Sequence, residues 1–390
     1  MVQYTQENLR KSPLFGLKHL YQVRHFLSSA KYLPAPEQLD KYYKLSKTAN
    51  REVYYPDYVL RTFHLELNKY LSQIEKPYFL KSGKKGESYL SHATSHLNQN
   101  QLLSLDIKSY YKNISRLDVF KFFKNELNCS HKIADYLACF CTYKNQLPLG
   151  SPLSMNLAYL INQQMLYQLL DIASRNNLTM TVYVDDILFS GENIPSKVKY
   201  EIIGVINKYG YSINKDKFRF YKNRKLPKET SGVVIQHNKL SPTKEKLAKL
   251  REELKLWNKV LREHKSFYEV HYRFIRVIGF VGYLCLVDDK FIQLKKQIVS
   301  EYRKAKEDDF LAKFGDSLNE WNTLLNNYET PYQDLNKKHL QLNLLIKNLS
   351  KLNKKHLSLY KKVKDAHERH KNLRNSTFRK TFRDFLKIFN

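Results

Sequence analysis

The spacing of apolar positions changes several times along the chain, and each change marks an element. In residues 57–75, Val59, Leu60, Phe63, Leu65, Leu67 and Leu71 recur near i, i+3 and i+4, which predicts a helix. Residues 1–40 predict helix with a break at Leu33-Pro34-Ala35-Pro36. Residues 41–56 are rich in Tyr and Val and are divided by Thr48-Ala49-Asn50, so they predict a hairpin. Residues 81–88 form a basic, glycine-containing loop. The apolar run Leu102-Leu103-Ser104-Leu105 then ends at Asp106. Residues 115–175 are mostly helical in pattern, with an interruption at 147–152. Residues 179–191 are two β-like runs meeting at a tight acidic turn. Residues 197–209 predict a helix, and 211–240 alternate as strands do, with a turn near Leu226-Pro227-Lys228. Ser241 as N-cap, Pro242 as first helical residue and Glu245 in the first turn predict a helix start there, with only helices beyond. No internal repeat is visible, and the order of elements predicts an α+β protein.

Charge changes this picture most. The 390 residues carry 67 Lys and Arg against 37 Asp and Glu, a net charge of +30 and a pI near 9.7. Such a chain repels itself unless a polyanion neutralises it, so nucleic acid is the first partner to consider and an anionic membrane the second. Hydrophobic residues at 42% and aromatic residues at 13% exclude a disordered chain. Only 11 residues are Gly, which favours long regular elements. Cys129, Cys139, Cys141 and Cys285 exclude a disulfide framework, and the pair Cys139-x-Cys141 lacks the second half of a zinc site. The N-terminal residues show no apolar signal segment. The longest apolar run, 277–287, is too short to span a bilayer. These features predict a cytoplasmic protein without a membrane partner. The charge is uneven: residues 336–390 hold 16 Lys and Arg against 3 Asp and Glu. Leu335, Leu340, Leu342, Leu344, Leu345, Leu349, Leu352, Leu357 and Leu359 form a helical stripe there. One reading is a solvated basic helix packed by its Leu face; the other is a helical arm gripping nucleic-acid backbone, with steep salt dependence.

Acidic residues stand out against this background. Asp106 ends an apolar strand, and Tyr183-Val184-Asp185-Asp186 lies between Thr181-Val182 and Ile187-Leu188-Phe189. Adjacent carboxylates at a hairpin tip repel each other, and a divalent cation is one reason to place them there. Hard cations take carboxylate oxygens, and Mg²⁺ commonly uses one or two of them together with substrate phosphates. A third carboxylate from a neighbouring strand completes a site for two ions about 4 Å apart. Taken alone, an aromatic-x-Asp-Asp sequence is as compatible with an exposed turn.

From about residue 40 to 290 the sequence resembles the reverse transcriptases, and among them the bacterial retron-type and defence-associated enzymes. The resemblance implies a right-hand polymerase of fingers, palm and thumb, with an antiparallel palm sheet and a helical basic C-terminal extension. Its expected divisions are an N-terminal helical segment at 1–40, fingers at 41–105, palm at 106–240 with fingers parts at 112–150, thumb at 241–305 and the extension at 306–390. Arg51-Glu52-Val53-Tyr54-Tyr55-Pro56 resembles the fingers motif, whose Arg contacts the incoming triphosphate. Lys44 and Lys47 are both candidates for the assisting lysine, and Lys47 is carried as the substrate-binding one. Asp106-Ile107-Lys108-Ser109-Tyr110-Tyr111 resembles the first catalytic motif. The resemblance makes Asp106 a metal ligand, adds the Ile107 carbonyl, and makes Tyr111 the gate against a ribose 2′-hydroxyl.

Leu147-Pro148-Leu149-Gly150-Ser151-Pro152-Leu153-Ser154 resembles the motif that contacts template and nucleotide, in which Gly150 allows a close backbone approach. Leu149 replaces the usual Gln and Met155 the usual second Pro; Asn156 is a candidate to compensate. Tyr183-Val184-Asp185-Asp186 fits the polymerase box, so Asp185 and Asp186 join Asp106 as catalytic metal ligands and Tyr183 faces primer or template. Lys217, in Asn214-x-x-Lys217-Phe218-Arg219, is implied to protonate pyrophosphate. Ser231 and Gly232 resemble the primer-grip turn. His92-Ala93-Thr94-Ser95-His96 resembles the retron Asn-Ala-x-x-His element and is read as structural or RNA-contacting.

The implied function is RNA-directed DNA synthesis with two Mg²⁺ ions and deoxynucleoside triphosphates, copying a cognate non-coding RNA into DNA in anti-phage defence. An effector protein or a homo-oligomer is a further possible partner. Leu149 favours an alternative, untemplated or protein-primed synthesis of the abortive-infection kind. A catalytically silent RNA-binding scaffold is the reading from another class, and three intact Asp argue against it. A group II intron maturase lacks support, since no endonuclease Cys/His cluster is present.

Overall fold

The computed structural model describes residues 5–48, 51–263, 266–326 and 332–352, with the single positions 363, 365 and 368. The chain divides into two units, up to Thr243 and from Lys244 onward.

In the first unit the N-terminal segment is not one broken helix. It forms α1 (Gln6–Leu9), α2 (Leu20–Phe26) and two 3-10 turns, Ser28–Tyr32 and Pro36–Tyr42. Pro13, Gly16 at φ +76°, Pro34 and Pro36 prevent a longer run. Its Leu9, Leu14, Leu17, Val23 and Leu27 are all buried in the main core. The expected hairpin is β1 (Tyr43–Thr48) paired with β2 (Arg51–Pro56). Helix α3 (Tyr58–Leu71) follows, capped by Asp57, whose side chain accepts from the Leu60 amide. Leu60, Phe63, His64, Leu67 and Leu71 form its inner face. A short helix α4 (Tyr89–Thr94) opens with a Ser88–Ser91 capping box.

The central sheet is antiparallel, in the order β4-β5-β3-β6. Its strands are β3 (Gln101–Asp106), β4 (Thr179–Tyr183), β5 (Asp186–Gly191) and β6 (Arg219–Tyr221). Strand β3 is central and covered on both faces, so its residues 102–106 are all buried rather than alternating. Between β3 and β4 lie α5 (Arg116–Lys121), running on into a π-turn at Phe122–Glu126, then α6 (His131–Cys141) and α7 (Ser154–Arg175). After β5 comes α8 (Ser196–Lys208). A second sheet joins β7 (Lys228–Thr230), β8 (Val233–Gln236) and β9 (Lys239–Pro242). Its turns, Ser231-Gly232 and His237-Asn238, have positive φ at both central residues, the geometry that matches hairpin twist.

The helix start expected at Ser241-Pro242 is not there. Both residues belong to β9 and pair with Val234 and Val233. An edge strand tolerates the missing N–H of Pro242, and the cross-strand ladder outweighs the local capping signal. The helix begins two residues later.

The second unit holds α9 (Lys244–Arg262), α10 (Phe267–Val287), α11 (Phe291–Asn326) and α12 (Tyr332–Leu352). Leu250 and Trp257 of α9, Val277, Val281 and Leu284 of α10, and Phe291 and Ile298 of α11 form one core. The 277–287 run is the C-terminal half of a helix of 21 residues, and α10 is long and apolar enough to cross a membrane by length and composition. Helix α11 passes through 305/306, where a division was expected, without a break. Farther along it, Phe314 and Trp321 pack on Leu342, Ile346, Leu349 and Val363. The leucine stripe is therefore only partly a core: Leu340 and Leu344 are exposed, while Leu357 and Leu359 lie outside the described residues. All four cysteines are free.

The interrupting motif at 147–154 is clamped onto β2 and α3. Gly150 donates its amide to the Tyr54 carbonyl at 3.2 Å. A Cβ on Gly150 would lie 2.6 Å from that carbonyl oxygen and 2.6 Å from the Tyr55 ring. The close approach this glycine permits is to β2. We expect Gly150→Ala to lower unfolding free energy by about 1–3 kcal/mol in urea titration, as overpacking against backbone does.

Candidate active site

The register of β3 and β5 sets Asp106 directly opposite Asp186. Antiparallel partners stand about 5 Å apart at Cα, so two carboxylates from distant parts of the chain share one end of the sheet. Tyr183 pairs with Asp186 across the hairpin, leaving Val184-Asp185 as a two-residue turn. Val184 has φ +60°, a left-handed conformation unusual for a β-branched residue, in the turn position that favours glycine. The Ser82 hydroxyl accepts the Val184 N–H at 3.1 Å. The Asp185 carbonyl accepts the Ile107 N–H at 2.9 Å, tying the hairpin tip to the strand that carries Asp106.

Asp106 is buried, and Lys217 donates to its Oδ2 at 2.5 Å. That hydrogen bond raises the Lys217 pKa. Lys217 ends a 3-10 turn at Lys215–Lys217, held because the Asn214 amide donates to the Asp106 carbonyl at 2.7 Å. The Asp186 carboxyl is pushed up to about 7, first by burial and then by the negative charges of Asp185 and Asp106; Lys217 and Ser231 act in the opposite sense. Ser231, in the β7–β8 turn beside Gly232, donates its hydroxyl to Asp186 Oδ2 at 3.3 Å. Burial and the charge of Asp185 also raise the Tyr111 hydroxyl pKa, so Tyr111 stands within electrostatic reach of the hairpin tip.

The donor set suits a hard divalent cation in kind. Its side chains offer carboxylate oxygens, and a carboxyl pushed up to about 7 by burial and then by the charges of Asp185 and Asp106 is one whose charged form a cation stabilises. Among the described residues no three His, Cys, Asp or Glu side chains form a ready-made metal cage. Asp106 gives one oxygen to Lys217, so a cation bound here would compete with that ammonium, and substrate phosphates would complete its oxygen set. Ile107 is buried in the core, which leaves only its backbone oxygen as a ligand.

The remaining expected site residues divide into several groups. Leu149 is exposed beside Gly150. Lys47 is exposed and lies 3.5 Å from Glu52. In the β1–β2 register, Thr48 pairs with Arg51 and Lys47 with Glu52, so Lys44 has the parity of the Arg51 position and Lys47 the opposite one. Asn156 does not replace the missing glutamine amide, because its side chain is buried and donates to Asn68 and Ser72 of the α3 segment. Neither His92 nor His96 can contact RNA with its ring, since both are fully buried. His96 bonds Ser190 at 2.6 Å and Thr181 at 2.7 Å, and Thr181 also bonds His92 at 2.7 Å. This network braces the β4–β5 hairpin from behind, and Tyr183 packs near the His92 ring. A third buried histidine, His64, contacts the Phe140 carbonyl through Nε2 and Ser151 through Nδ1. A carbonyl only accepts, so Nε2 carries the proton and the Ser151 hydroxyl donates to Nδ1. Sequence reading missed Ser82, the bracing role of Thr181 and Ser190, and the His64 clamp, because each links segments far apart in the chain.

A model of the family described as reverse transcriptase (RNA-dependent DNA polymerase) matches residues 59–281. That is more than half of the chain, and the chain belongs to this family; it is an RNA-directed DNA polymerase. Among named relatives, it is 28% identical over 243 residues to the Retron Ec86 reverse transcriptase of Escherichia coli, covering 62% of this chain and 72% of that one. It is 28% identical over 203 residues to the Retron Se72 reverse transcriptase of Salmonella heidelberg (strain 579083-10), covering 50% and 54%. Against the Retron Ec48 reverse transcriptase of Escherichia coli it is 24% identical over 216 residues, covering 54% and 53%. The chain thus spans about half the length of the last two.

The buried histidines make stability depend on pH. Burial lowers His64 to about 4, His92 to about 3 and His96 well below 6.5. Each is neutral in the fold and takes up a proton more readily when unfolded, so its contribution is complete above the unfolded value of 6.5 and is lost as pH falls below it. Asp186 works the other way, as one group against three. The melting temperature should therefore fall steadily from about pH 7 to about pH 5 in calorimetry, and a flat profile would contradict the assignment.

Proposed function

We propose that this chain copies a structured, cognate RNA into DNA, and that Asp106, Asp185 and Asp186 form its catalytic centre. The observation that carries this reading is the pairing of Asp106 with Asp186 across β3 and β5, with Asp185 tied to Ile107. In this reading the unit up to Thr243 supplies fingers and palm, α9 to α11 supply the thumb, and the basic stretch beyond is an RNA-binding extension. The net charge of +30 suits such a partner. Anti-phage defence is the biological role we attach to it.

The reaction is in-line displacement. A primer hydroxyl gives up its proton to water and attacks the α-phosphorus of a deoxynucleoside triphosphate, the bond to the β-phosphate bridging oxygen breaks, and pyrophosphate leaves. The three carboxylates and the Ile107 carbonyl would hold two Mg²⁺ ions, which when bound would neutralise charge and make the attacking hydroxyl more acidic. Arg51, with Lys44 or Lys47, grips the triphosphate. The register parity favours Lys44 as the partner of Arg51. Tyr111 underlies the sugar and excludes a 2′-hydroxyl. Leu149 and Gly150 border the template–nucleotide pair, while Tyr183 and the Ser231-Gly232 turn seat the primer end. Lys217 is charged and already beside Asp106, where it can pass a proton to the departing pyrophosphate.

A second reading, untemplated synthesis, is favoured by one observation: Leu149 is exposed and offers no hydrogen bond where the motif has Gln. Incorporation of labelled deoxynucleotides on a defined RNA template separates the readings when the product is sequenced. We expect product complementary to the template from the wild type. Asp185→Asn should reduce the rate by about a thousandfold or more, as loss of a charge-stabilising group does. Random or homopolymer product would sink the templated reading.

A further inference from the structure

Val184 is held in a conformation its side chain disfavours, and one hydroxyl meets its amide. A β-branched residue at φ +60° persists only where its surroundings hold it. The Ser82 hydroxyl accepts the Val184 N–H at 3.1 Å and is itself buried, with the residue only 4% exposed. The segment carrying Ser82 is fastened to the edge of β4. Val182 donates to the Phe79 carbonyl at 2.9 Å, Lys81 donates to the Val182 carbonyl at 2.8 Å, and Leu80 bridges Val182 in parallel. Immediately after Ser82 the chain turns away through Gly83 at φ +58°, whose carbonyl accepts from Lys76. A Cβ on Gly83 would come within 3.1 Å of the Met155 sulfur, so the loop sits close beneath α7. The hydroxyl is thus presented from a backbone anchored on both sides.

We infer that Ser82 is a positioning residue for the polymerase reaction: it holds the strained Val184 turn so that Asp185 and Asp186 keep their places beside Asp106. This inference rests on the reading of those three residues as the catalytic centre. Without the acceptor, the half-buried Val184 N–H loses its partner and the turn has reason to relax. Relaxation would swing the two carboxylates and leave the rest of the fold in place.

The test is a double-mutant cycle between Ser82→Ala and Val184→Gly, since glycine adopts this conformation without strain. Ser82→Ala should lower kcat by about tenfold, equivalent to about 1.4 kcal/mol, with little change in the KM for primer–template. Mn²⁺ binding followed by electron paramagnetic resonance, with no nucleotide present, should weaken in the same variant. Ser82→Thr, which keeps the hydroxyl, should recover most of both. In the Val184→Gly background the penalty of Ser82→Ala should shrink to about twofold or less. If Val184→Gly is itself inactive, the same cycle read as melting temperature decides, with Ser82→Ala costing more degrees beside Val184 than beside Gly. Equal penalties in both backgrounds, or wild-type kcat and Mn²⁺ binding in Ser82→Ala, overturn the inference. A wild-type chain that incorporates no deoxynucleotide would overturn the catalytic reading instead, while the melting cycle would still judge the hold on Val184.

Discussion

Three carboxylates converging at one end of a sheet repel one another, and burial makes that repulsion stronger because little water screens it. Asp106 and Asp186 face each other across β3 and β5 and Asp185 stands one residue along; burial first, and then these charges, push the Asp186 carboxyl up to about 7. A chain left to itself would spread these charges apart. Here they stay together because each is carried on backbone that has other obligations. Asp106 ends a strand buried on both faces, its carbonyl accepts from Asn214, and Asp185's carbonyl accepts from Ile107. The ammonium of Lys217 and the hydroxyl of Ser231 then supply part of the compensation that a cation and its phosphates would complete.

The layer behind the site is built for stiffness. His92 of α4 and His96 just after it tie this segment to Thr181 and Ser190, on the two strands of the acidic hairpin, with neutral, fully buried hydrogen bonds. A second clamp, His64 between Phe140 and Ser151, fixes the 147–154 motif to α3. Gly150 presses the same motif against β2. Neutral imidazoles suit both places: they join two segments without adding charge beneath a site already crowded with it. The side chains expected to touch substrate are thus borne on elements whose inner faces are locked.

Much of this was legible in the residues alone. The helix at 58–71, the strand ending at Asp106, the hairpin around Val184-Asp185 and the helical second unit all follow from local apolar period. The acidic motifs, in their order along the chain, resemble those of the polymerase family without reference to the fold. Other details were not legible. Ser241-Pro242 has every local mark of a helix start, yet pairing with β8 claims both residues for a strand. Asn156 looked free to replace a missing amide, but α3 lies close enough to use it. The histidines at 92 and 96 belong to an element whose residues leave structural and RNA-contacting roles equally open, and only the sheet that covers them decides for the structural one.

The sequence by itself determined the periods of the elements, the strongly basic charge and the positions of the acidic motifs, because these depend on residues near one another along the chain. Only the tertiary structure decided which backbone stands opposite Asp106, what holds Val184 in its strained turn, and which polar groups are sealed from water. Those outcomes depend on pairing register and packing between segments as distant as Ser82 and Val184, and no local pattern records the energy of contacts that exist only once the chain has closed on itself.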